Sequence, residues 1–331
     1  MNNIILSKSI NPYFNLALEE YMLDNIAENQ TIMYLWQNDN TVVIGNNQNP
    51  WKECDIAKIN SENVKLARRL SGGGAVFHDM GNLNFTFLTK RNNYSVEKQL
   101  KVISNALLEF GLIAVVSGRN DITINDKKFS GNAFYYTGNN YYHHGTLLVD
   151  AKLSRLATFL TPSKQKIMSK GITSVRSRVI NLKTLNDEIT IDKIIENLKI
   201  SFENLYGKVE NTKIIDENSY AECEKFAKMN DKYSSWQWIY GDSPNFDAEF
   251  SNRYNWGEVS IGIKINDGVI TSAKVYTDSL NTHFIDKLEL ALNKVVFTKF
   301  DIANAINMIT KKDDNEITIF NDIITLFAEL D

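Results

Sequence analysis

Two arginines run directly into a triple glycine in Arg68-Arg69-Leu70-Ser71-Gly72-Gly73-Gly74-Ala75-Val76-Phe77-His78-Asp79. Consecutive glycines let the backbone take φ > 0 and let a ligand approach bare main chain. Amide N–H groups in such a turn can converge on an anion, and a neighbouring guanidinium adds fixed positive charge. The pattern suits a carboxylate or a phosphate, although a Gly-rich hairpin with solvated arginines has the same composition. It is not a Walker A loop, because no Gly-Lys-Ser/Thr follows and the Val76-Phe77 run disfavours a helix. Further on, Lys128 precedes Phe129-Ser130-Gly131-Asn132-Ala133. Aimed into a sheet concavity, its ammonium would need an anionic partner, since an unpaired buried charge is costly; within Asn-Asp-Lys-Lys it reads more simply as a turn lysine. Three of the four histidines, His78, His143 and His144, lie in the same half of the chain. Neighbours on a strand point to opposite faces, so His143 and His144 cannot chelate one metal together, and structural roles outweigh acid–base roles for both. The basic stretch from Lys164 to Arg178 reads as a loop closing over an anionic ligand or as a solvated surface loop.

The elements that must position these groups follow in chain order. Residues 2–7 form a short strand. Asn11 caps a helix with Pro12 at its first position, and Phe14, Ala17, Leu18, Tyr21 and Met22 recur at helical spacing. The apolar runs 31–36 and 41–45, around Gln37-Asn38-Asp39-Asn40, read as a hairpin. A short helix covers 55–60, and residues 82–89 alternate like a strand. A helix over 94–110 ends at Gly111 as its left-handed cap. A strand is expected at 113–116. Residues 121–124 and 128–136 read as a hairpin turning at Asn125-Asp126-Lys127, 141–149 as a strand, 153–160 as a short helix and 191–206 as an amphipathic helix. Past a linker-like Gly241-Asp242-Ser243-Pro244-Asn245, a hairpin turns at Asn266-Asp267-Gly268 and three helical patterns follow at 284–294, 302–310 and 317–330. Hairpins with few helical crossovers imply an α+β fold: a mixed, largely antiparallel sheet with flanking helices, plus a small α+β C-terminal domain. The expected division is residues 1–245 and 246–331. A doubly wound dinucleotide fold is disfavoured.

The 331 residues are 43% hydrophobic and 23% charged, enough to bury a core. A net charge of −4 argues against broad electrostatic binding of nucleic acid. No secretory signal and no apolar run long enough to span a membrane is visible. Cys54 and Cys223 make neither a metal cluster nor a disulfide framework. A cytoplasmic protein with reduced thiols is expected.

Six ordered blocks carry a family resemblance: Asn49-Pro50-Trp51-Lys52-Glu53-Cys54, the Arg68–Asp79 stretch, Gly118-Arg119-Asn120-Asp121, Lys128-Phe129-Ser130-Gly131, His143-His144-Gly145-Thr146-Leu147-Leu148, and Lys170-Gly171-Ile172-Thr173-Ser174-Val175-Arg176-Ser177-Arg178. Together they resemble the lipoate–protein ligase A family, densely over residues 3–245 and more loosely beyond. The resemblance implies a biotin/lipoate protein-ligase fold and two steps. Lipoate and Mg-ATP give lipoyl-AMP and pyrophosphate; the acyl group then passes to a lysine ε-amine of a lipoyl domain, such as an oxoacid dehydrogenase E2 subunit or the glycine-cleavage H protein. It implies Lys128 as the catalytic residue, between the lipoate carbonyl and the α-phosphate. Arg69, Gly74, Ala75, Val76, Phe77, Asn120, Asp121, Lys170, Gly171 and Thr173 join Lys128 around ATP or the adenylate. Leu16, Arg69, Ser71, Gly72, Gly73, His78, Ala133 and His144 join Lys128 around lipoate, with His144 lining the slot rather than acting as a base. Mg²⁺ should ride mostly on phosphate oxygens, with Asp121 as the candidate protein ligand. Leu70 departs from the family, which often has a small polar residue there. A monomer without nucleic-acid or membrane partners is expected. Three other readings share the fold: an ATP-independent octanoyl or lipoyl transferase with an acyl-cysteine, a transferase accepting only preformed lipoyl-AMP, and a non-catalytic lipoate-binding regulator.

Overall fold

The computed structural model describes residues 1–117, 121–160, 179–241 and 246–328. They divide into two units. The first comprises Met1–Ile44, Trp51–Arg69 and Ala75–Ile239; the second comprises Gly45–Pro50, Leu70–Gly74 and the chain from Tyr240 onward.

The first unit begins with β1 (Asn2–Ser7), α1 (Pro12–Asp24), β2 (Thr31–Trp36), β3 (Thr41–Ile44), α2 (Ile56–Ser61), β4 (Lys65–Arg68), β5 (Val76–His78), β6 (Asn82–Lys90) and α3 (Val96–Leu108). It continues with β7 (Val115–Ser117), β8 (Asp121–Ile124), β9 (Lys127–Thr137), β10 (Asn140–Leu148), α4 (Leu153–Phe159), α5 (Ile191–Tyr206), β11 (Val209–Ile215) and α6 (Glu224–Ser234). Eight strands form one mixed sheet in the order β11-β1-β2-β6-β10-β9-β8-β7. β1 is parallel to both neighbours, because α1 carries the chain back over the sheet before β2 begins. From β2 to β7 every pairing is antiparallel. A smaller sheet, β4-β3-β5, stands apart.

Local chemistry explains several of these elements. The Asn11 side chain accepts the Tyr13 N–H and Pro12 opens α1, as the sequence implies. The β8–β9 hairpin turns on Asn125 and Asp126, with φ of 50° and 60°, the left-handed pair that its tight twist demands. Gly111 ends the α3 segment at φ 72°.

The hairpin expected from 31–36 and 41–45 does not form. β2 lies between β1 and β6, while β3 lies between β4 and β5 in the other sheet. Every residue of both strands is buried, and a strand covered on all sides is an interior strand with a partner on each edge. The polar connection is itself anchored: Asn38 is fully buried and bonded to Asn15 and His78.

The two faces of the large sheet differ. Met33, Leu35, Phe85 and Phe87 project from one, into a core completed by Val102, Ile103, Ala106 and Leu107 of α3 and Ile194, Leu198 and Phe202 of α5. The alternate residues of the same strands project from the other face.

In the second unit β12 (Ala248–Tyr254), β13 (Gly257–Asn266) and β14 (Val269–Thr277) form an antiparallel meander. The β13–β14 turn places Asp267 and Gly268 at φ 49° and 74°, the type I′ geometry read from the sequence. Helices α7 (His283–Leu292), α8 (Lys299–Asn307) and α9 (Asp314–Leu326) cover the meander through Phe284, Leu288, Ile302, Ile306, Phe320 and Ile323. The linker residues 242–245 lie outside the described residues. Among the described residues no helix is long and apolar enough to cross a membrane.

Candidate active site

The register of the large sheet lines up two rows of side chains on the face opposite the α3–α5 core. In the first row Trp36 pairs with Asn84, and Asn84 with Thr146. The Gly131 N–H donates to Thr146 Oγ1 at 3.3 Å, and Asp121 pairs with Gly131. The adjacent row runs Tyr34, Thr86, His144, Ala133. Glycine, alanine, threonine and asparagine make most of these two rows, and Tyr34, Trp36, Asn84, Thr86, Ala133 and His144 among them are buried.

Lys128 stands at one end. Its side chain folds back along β9 until the ammonium lies over Gly131 and reaches Asp121 Oδ1 at 2.7 Å. A Cβ built on Gly131 would be 3.0 Å from Nζ and 3.2 Å from Cε, so the missing side chain is what admits the ammonium. The anionic partner required of Lys128 is therefore present within the chain. At 34% and 38% side-chain exposure the pair is solvated, and such pairs contribute about 0–1 kcal/mol. Lys128 is thus held loosely enough to exchange Asp121 for an arriving anion.

A buried polar cluster stands at the other end. Glu19, at 1% exposure, accepts Thr86 Oγ1–H at 2.6 Å and the Nδ1–H of His144 at 2.9 Å through the same oxygen, Oε1. Trp36 Nε1–H donates to Thr86 Oγ1 at 3.0 Å. Arg69 is buried, with Nη1 donating to the Val43 carbonyl at 3.3 Å. Burial pulls its guanidinium down to about 10, while Tyr142 and Glu19 oppose the shift, so it stays cationic at neutral pH. Arg68 is buried too: Nη2 and Nε bond the Ile239 and Trp238 carbonyls at 2.7 and 2.9 Å. Neither arginine is the solvated residue that a plain surface hairpin would show.

His78 edges this cluster, with its ring 6.2 Å from that of Trp36. Burial, reinforced by the charges of Arg69 and His144, holds its imidazole down at about 3. Nδ1 lies 3.2 Å from the Asn38 amide nitrogen, and Nε2 is buried without a hydrogen-bond partner among the described residues. Leu16 and Ala133 are buried, as an apolar wall requires. His143 faces the opposite way, into the core. Its Nδ1 lies 3.1 Å from the end of the Gln99 side-chain amide and its Nε2 2.9 Å from that of Asn132; burial again lowers the ring to about 3, so the neutral imidazole donates to one amide and accepts from the other. The two adjacent histidines thus do different jobs, as strand alternation implies.

On β5, the Phe77 ring stacks on Phe159 at 5.4 Å, and the Arg155 guanidinium lies 4.6 Å from the Phe159 ring centre and 5.6 Å from that of Phe77. Val76 is half-buried beside it. Burial pushes the Cys54 thiol up to about 12, which suppresses the thiolate. Cys223 precedes α6, its sulfur 3.7 Å from Tyr21 Oη; the backbone N–H of Phe226, then the Tyr21 hydroxyl, lower its pKa. Among the described residues neither Cys54 nor Cys223 is in contact with Lys128.

In the second unit, Gly73 takes φ 92°, the left-handed backbone expected of the glycine run, and its N–H donates to the Ser279 carbonyl at 3.1 Å. That amide is therefore already engaged. A Cβ on Gly72 would collide with the Ser279 carbonyl oxygen, so glycine is required there for close approach within the unit as well. The Ser71 carbonyl accepts the Asn46 N–H at 2.9 Å, and Leu70 is buried. A Cβ on Gly74 would meet open space.

Sequence reasoning singled out Lys128, Asp121, His78, Ala133 and His144, and the sheet register sets Asp121, Lys128, Ala133 and His144 along two neighbouring rows. Glu19, Trp36, Thr86 and Thr146 were missed. Glu19 has one signal, a carboxylate amid the buried apolar residues of α1; the others belong to the site through cross-strand register alone. Asn120, Lys170, Gly171 and Thr173 lie outside the described residues. Among the described residues no three His, Cys, Asp or Glu side chains are grouped to hold a metal ion.

Residues 11–203 match the lipoyl protein ligase A/B catalytic domain family, and residues 243–327 match the bacterial lipoate protein ligase C-terminus. A lipoate-protein ligase A of Blochmanniella floridana is 42% identical over 312 residues, 93% of each chain. One from Psychrobacter cryohalolentis is 40% identical over 304 residues, 90% of each. Among solved structures, LipL1 of P. falciparum in complex with lipoate superposes with a TM-score of 0.86 at 30% identity, covering 98% of this chain and 100% of that one. An archaeal bipartite lipoate protein ligase with its E2 lipoyl domain, from Thermoplasma acidophilum, gives 0.64 at 25% identity over 75% of this chain and 98% of that one. A lipoate-protein ligase A bound with ATP gives 0.62 at 25% identity over 73% and 99%.

Proposed function

The chain belongs to the lipoyl protein ligase A/B family, and on that premise we propose how its own residues carry the reaction. It is an ATP-dependent lipoate–protein ligase that activates lipoate as lipoyl-AMP and transfers the acyl group to a protein lysine. The observation that carries the residue assignments is the row across the sheet. Gly131 on β9 and Trp36 on β2 are three strand spacings apart, about 14 Å. That is the reach of an extended lipoyl chain with a hydrogen-bonding distance at each end. We assign the carboxylate end to Lys128 and the tail to the cluster of Glu19, Trp36, His78 and His144, with Arg69, Leu16 and Ala133 as further lipoate contacts.

In the first step a lipoate carboxylate oxygen attacks the α-phosphorus of ATP, forming the mixed anhydride and expelling pyrophosphate. Two anions must meet, and the Lys128 ammonium offsets their repulsion from its place over Gly131. Asp121 holds that ammonium in place before the substrates arrive. In the second step the acceptor lysine amine attacks the activated carbonyl, the C–O bond to phosphate breaks and AMP leaves; Lys128 polarises the carbonyl as negative charge develops on its oxygen. Ala75, Val76 and Phe77 are assigned to the nucleotide, with Gly74. Ser71, Gly72 and Gly73 are assigned to lipoate on the resemblance of their motif. The assignments of Asn120, Lys170, Gly171 and Thr173 to ATP rest on the resemblance of their motifs. Mg²⁺, carried on the triphosphate, would supply further charge neutralisation, and the motif's resemblance assigns Asp121 as the carboxylate that would share it.

We further propose that acceptors are lipoyl domains of E2 subunits or H protein, that residues 1–245 are catalytic and 246–331 accessory, and that the protein is a cytoplasmic monomer. The buried Cys54 thiol, pushed up to about 12, disfavours that cysteine as an acyl carrier. Pyrophosphate release from Mg-ATP tests the assignment: it should require lipoate and collapse in Lys128→Ala. Full release in that variant would overturn the role of Lys128.

A further inference from the structure

A chain of amides fixes which nitrogen of His78 carries its proton. Asn15 Nδ2 lies 3.0 Å from the Ser9 carbonyl and 2.9 Å from the Gln37 carbonyl. Carbonyls only accept, so that atom is the amide nitrogen of Asn15. The same nitrogen is 3.0 Å from Asn38 Oδ1; its two hydrogens are shared among three oxygens, and a second NH₂ at that distance would set donor against donor, so Asn38 keeps its oxygen there and turns its NH₂ towards His78 Nδ1 at 3.2 Å. An amide nitrogen cannot accept, so Nδ1 keeps its lone pair and the neutral ring carries its proton on Nε2. Burial beside Arg69 and His144 keeps the ring neutral. The resulting Nε2–H is at 3% residue exposure and has no acceptor among the described residues. A buried donor left unpaired is unfavourable and rare, which makes it a place where an incoming acceptor gains.

The acceptor follows from the span. With the ligand's carboxylate at Lys128, its far end arrives beside Trp36, whose ring lies 6.2 Å from that of His78. An extended lipoyl chain carries only hydrocarbon there, apart from the two sulfurs of its dithiolane, and divalent sulfur is a weak acceptor. We propose that His78 is a specificity-determining residue: its Nε2–H donates to a dithiolane sulfur, and this bond separates lipoate from a saturated acyl chain of similar length. Asn38 and Asn15 are positioning residues, since they act through the tautomer of His78. The inference rests on the placement of lipoate along the β9–β2 row.

The test compares kcat/KM of pyrophosphate release for lipoate and for octanoate, which has no sulfur. Wild type should favour lipoate. His78→Phe keeps a ring and removes the N–H; it should cut the lipoate-to-octanoate ratio about tenfold, mainly through the KM for lipoate. His78→Gln, which places an amide N–H near the former Nε2, should restore part of the preference. In parallel, ¹⁵N-imidazole NMR of wild type should show the His78 Nε2–H resonance moving downfield with lipoate and not with octanoate. This arm stands even if His78→Phe fails to fold. An unchanged ratio in folded His78→Phe, or the same resonance shift with both acids, would overturn the proposal. If wild type releases pyrophosphate with neither acid, the ligase reading itself fails, and the NMR titration still decides whether the hydrogen bond exists.

Discussion

Gly131→Ala separates folding from chemistry at the Lys128 site. The backbone there is extended rather than left-handed, so alanine incurs no strain, and a glycine replaced at a compatible position stabilises by about 0.4–1 kcal/mol through the unfolded chain. The new Cβ would meet Nζ at 3.0 Å and Cε at 3.2 Å, while Thr146 Oγ1, at 4.0 Å, is at ordinary contact distance. Relief needs a shift of a few tenths of an ångström at the tip of a flexible, partly solvated side chain. The fold should not suffer. The ammonium, however, moves off the position from which it offsets the carboxylate–phosphate repulsion; a misplacement of about 1 Å can cost about 10²-fold, so a few tenths of an ångström should cost less. We expect a melting temperature equal to or slightly above wild type, with lipoate-dependent pyrophosphate release reduced by between about threefold and about tenfold. Wild-type turnover would refute the claim that Lys128 acts from above Gly131; unfolding would refute the claim that only the lysine tip must yield.

Glu19→Ala removes the acceptor of the His144 N–H and the Thr86 hydroxyl, and should lower stability by about 3 kcal/mol in urea unfolding; a loss below about 1 kcal/mol would show that the cluster is not closed in solution. His78 and His143 have folded-state values near 3 against 6.5 unfolded, so the unfolded chain binds more protons between those limits and stability must fall as pH falls from about 6.5 towards 3. The slope should approach about 1.4 kcal/mol per pH unit for each ring, measurable as a urea midpoint against pH and reduced in His143→Gln; a midpoint flat down to pH 4 would contradict the buried neutral state of both. Iodoacetamide should modify Cys223 before Cys54 and leave ligation intact, because the Cys54 thiol is buried and pushed up to about 12. Activity loss that tracks Cys54 alkylation by mass spectrometry would revive an acyl-cysteine route.

The elements legible in the sequence were those whose signals are local. Asn11-Pro12 starts α1, Asn125-Asp126 turns β8 into β9, and Asp267-Gly268 turns β13 into β14, each through a backbone or capping requirement carried by a few adjacent residues. The run from Thr31 to Ile44 misled because a polar turn between two apolar strands carries no information about which sheet each strand will enter. Partner choice there depends on β1, β4, β5 and β6, all distant in sequence from at least one of them. The same limit governs the site. Lys128 and His144 could be singled out from their motifs, but Trp36, Thr86 and Thr146 join them through register across four strands. His78 could be named, whereas the direction of its free N–H depends on amides at Asn15 and Asn38 that only the folded chain brings together.

The central claim is tested most directly by incubating the pure protein with Mg-ATP, lipoate and an apo lipoyl domain, and following pyrophosphate release alongside the intact mass of the domain. Lipoylation at one lysine, with pyrophosphate release that needs lipoate and is lost in Lys128→Ala, is the predicted result. Well-folded wild type that releases no pyrophosphate in the presence of lipoate and leaves the domain unmodified would contradict the account.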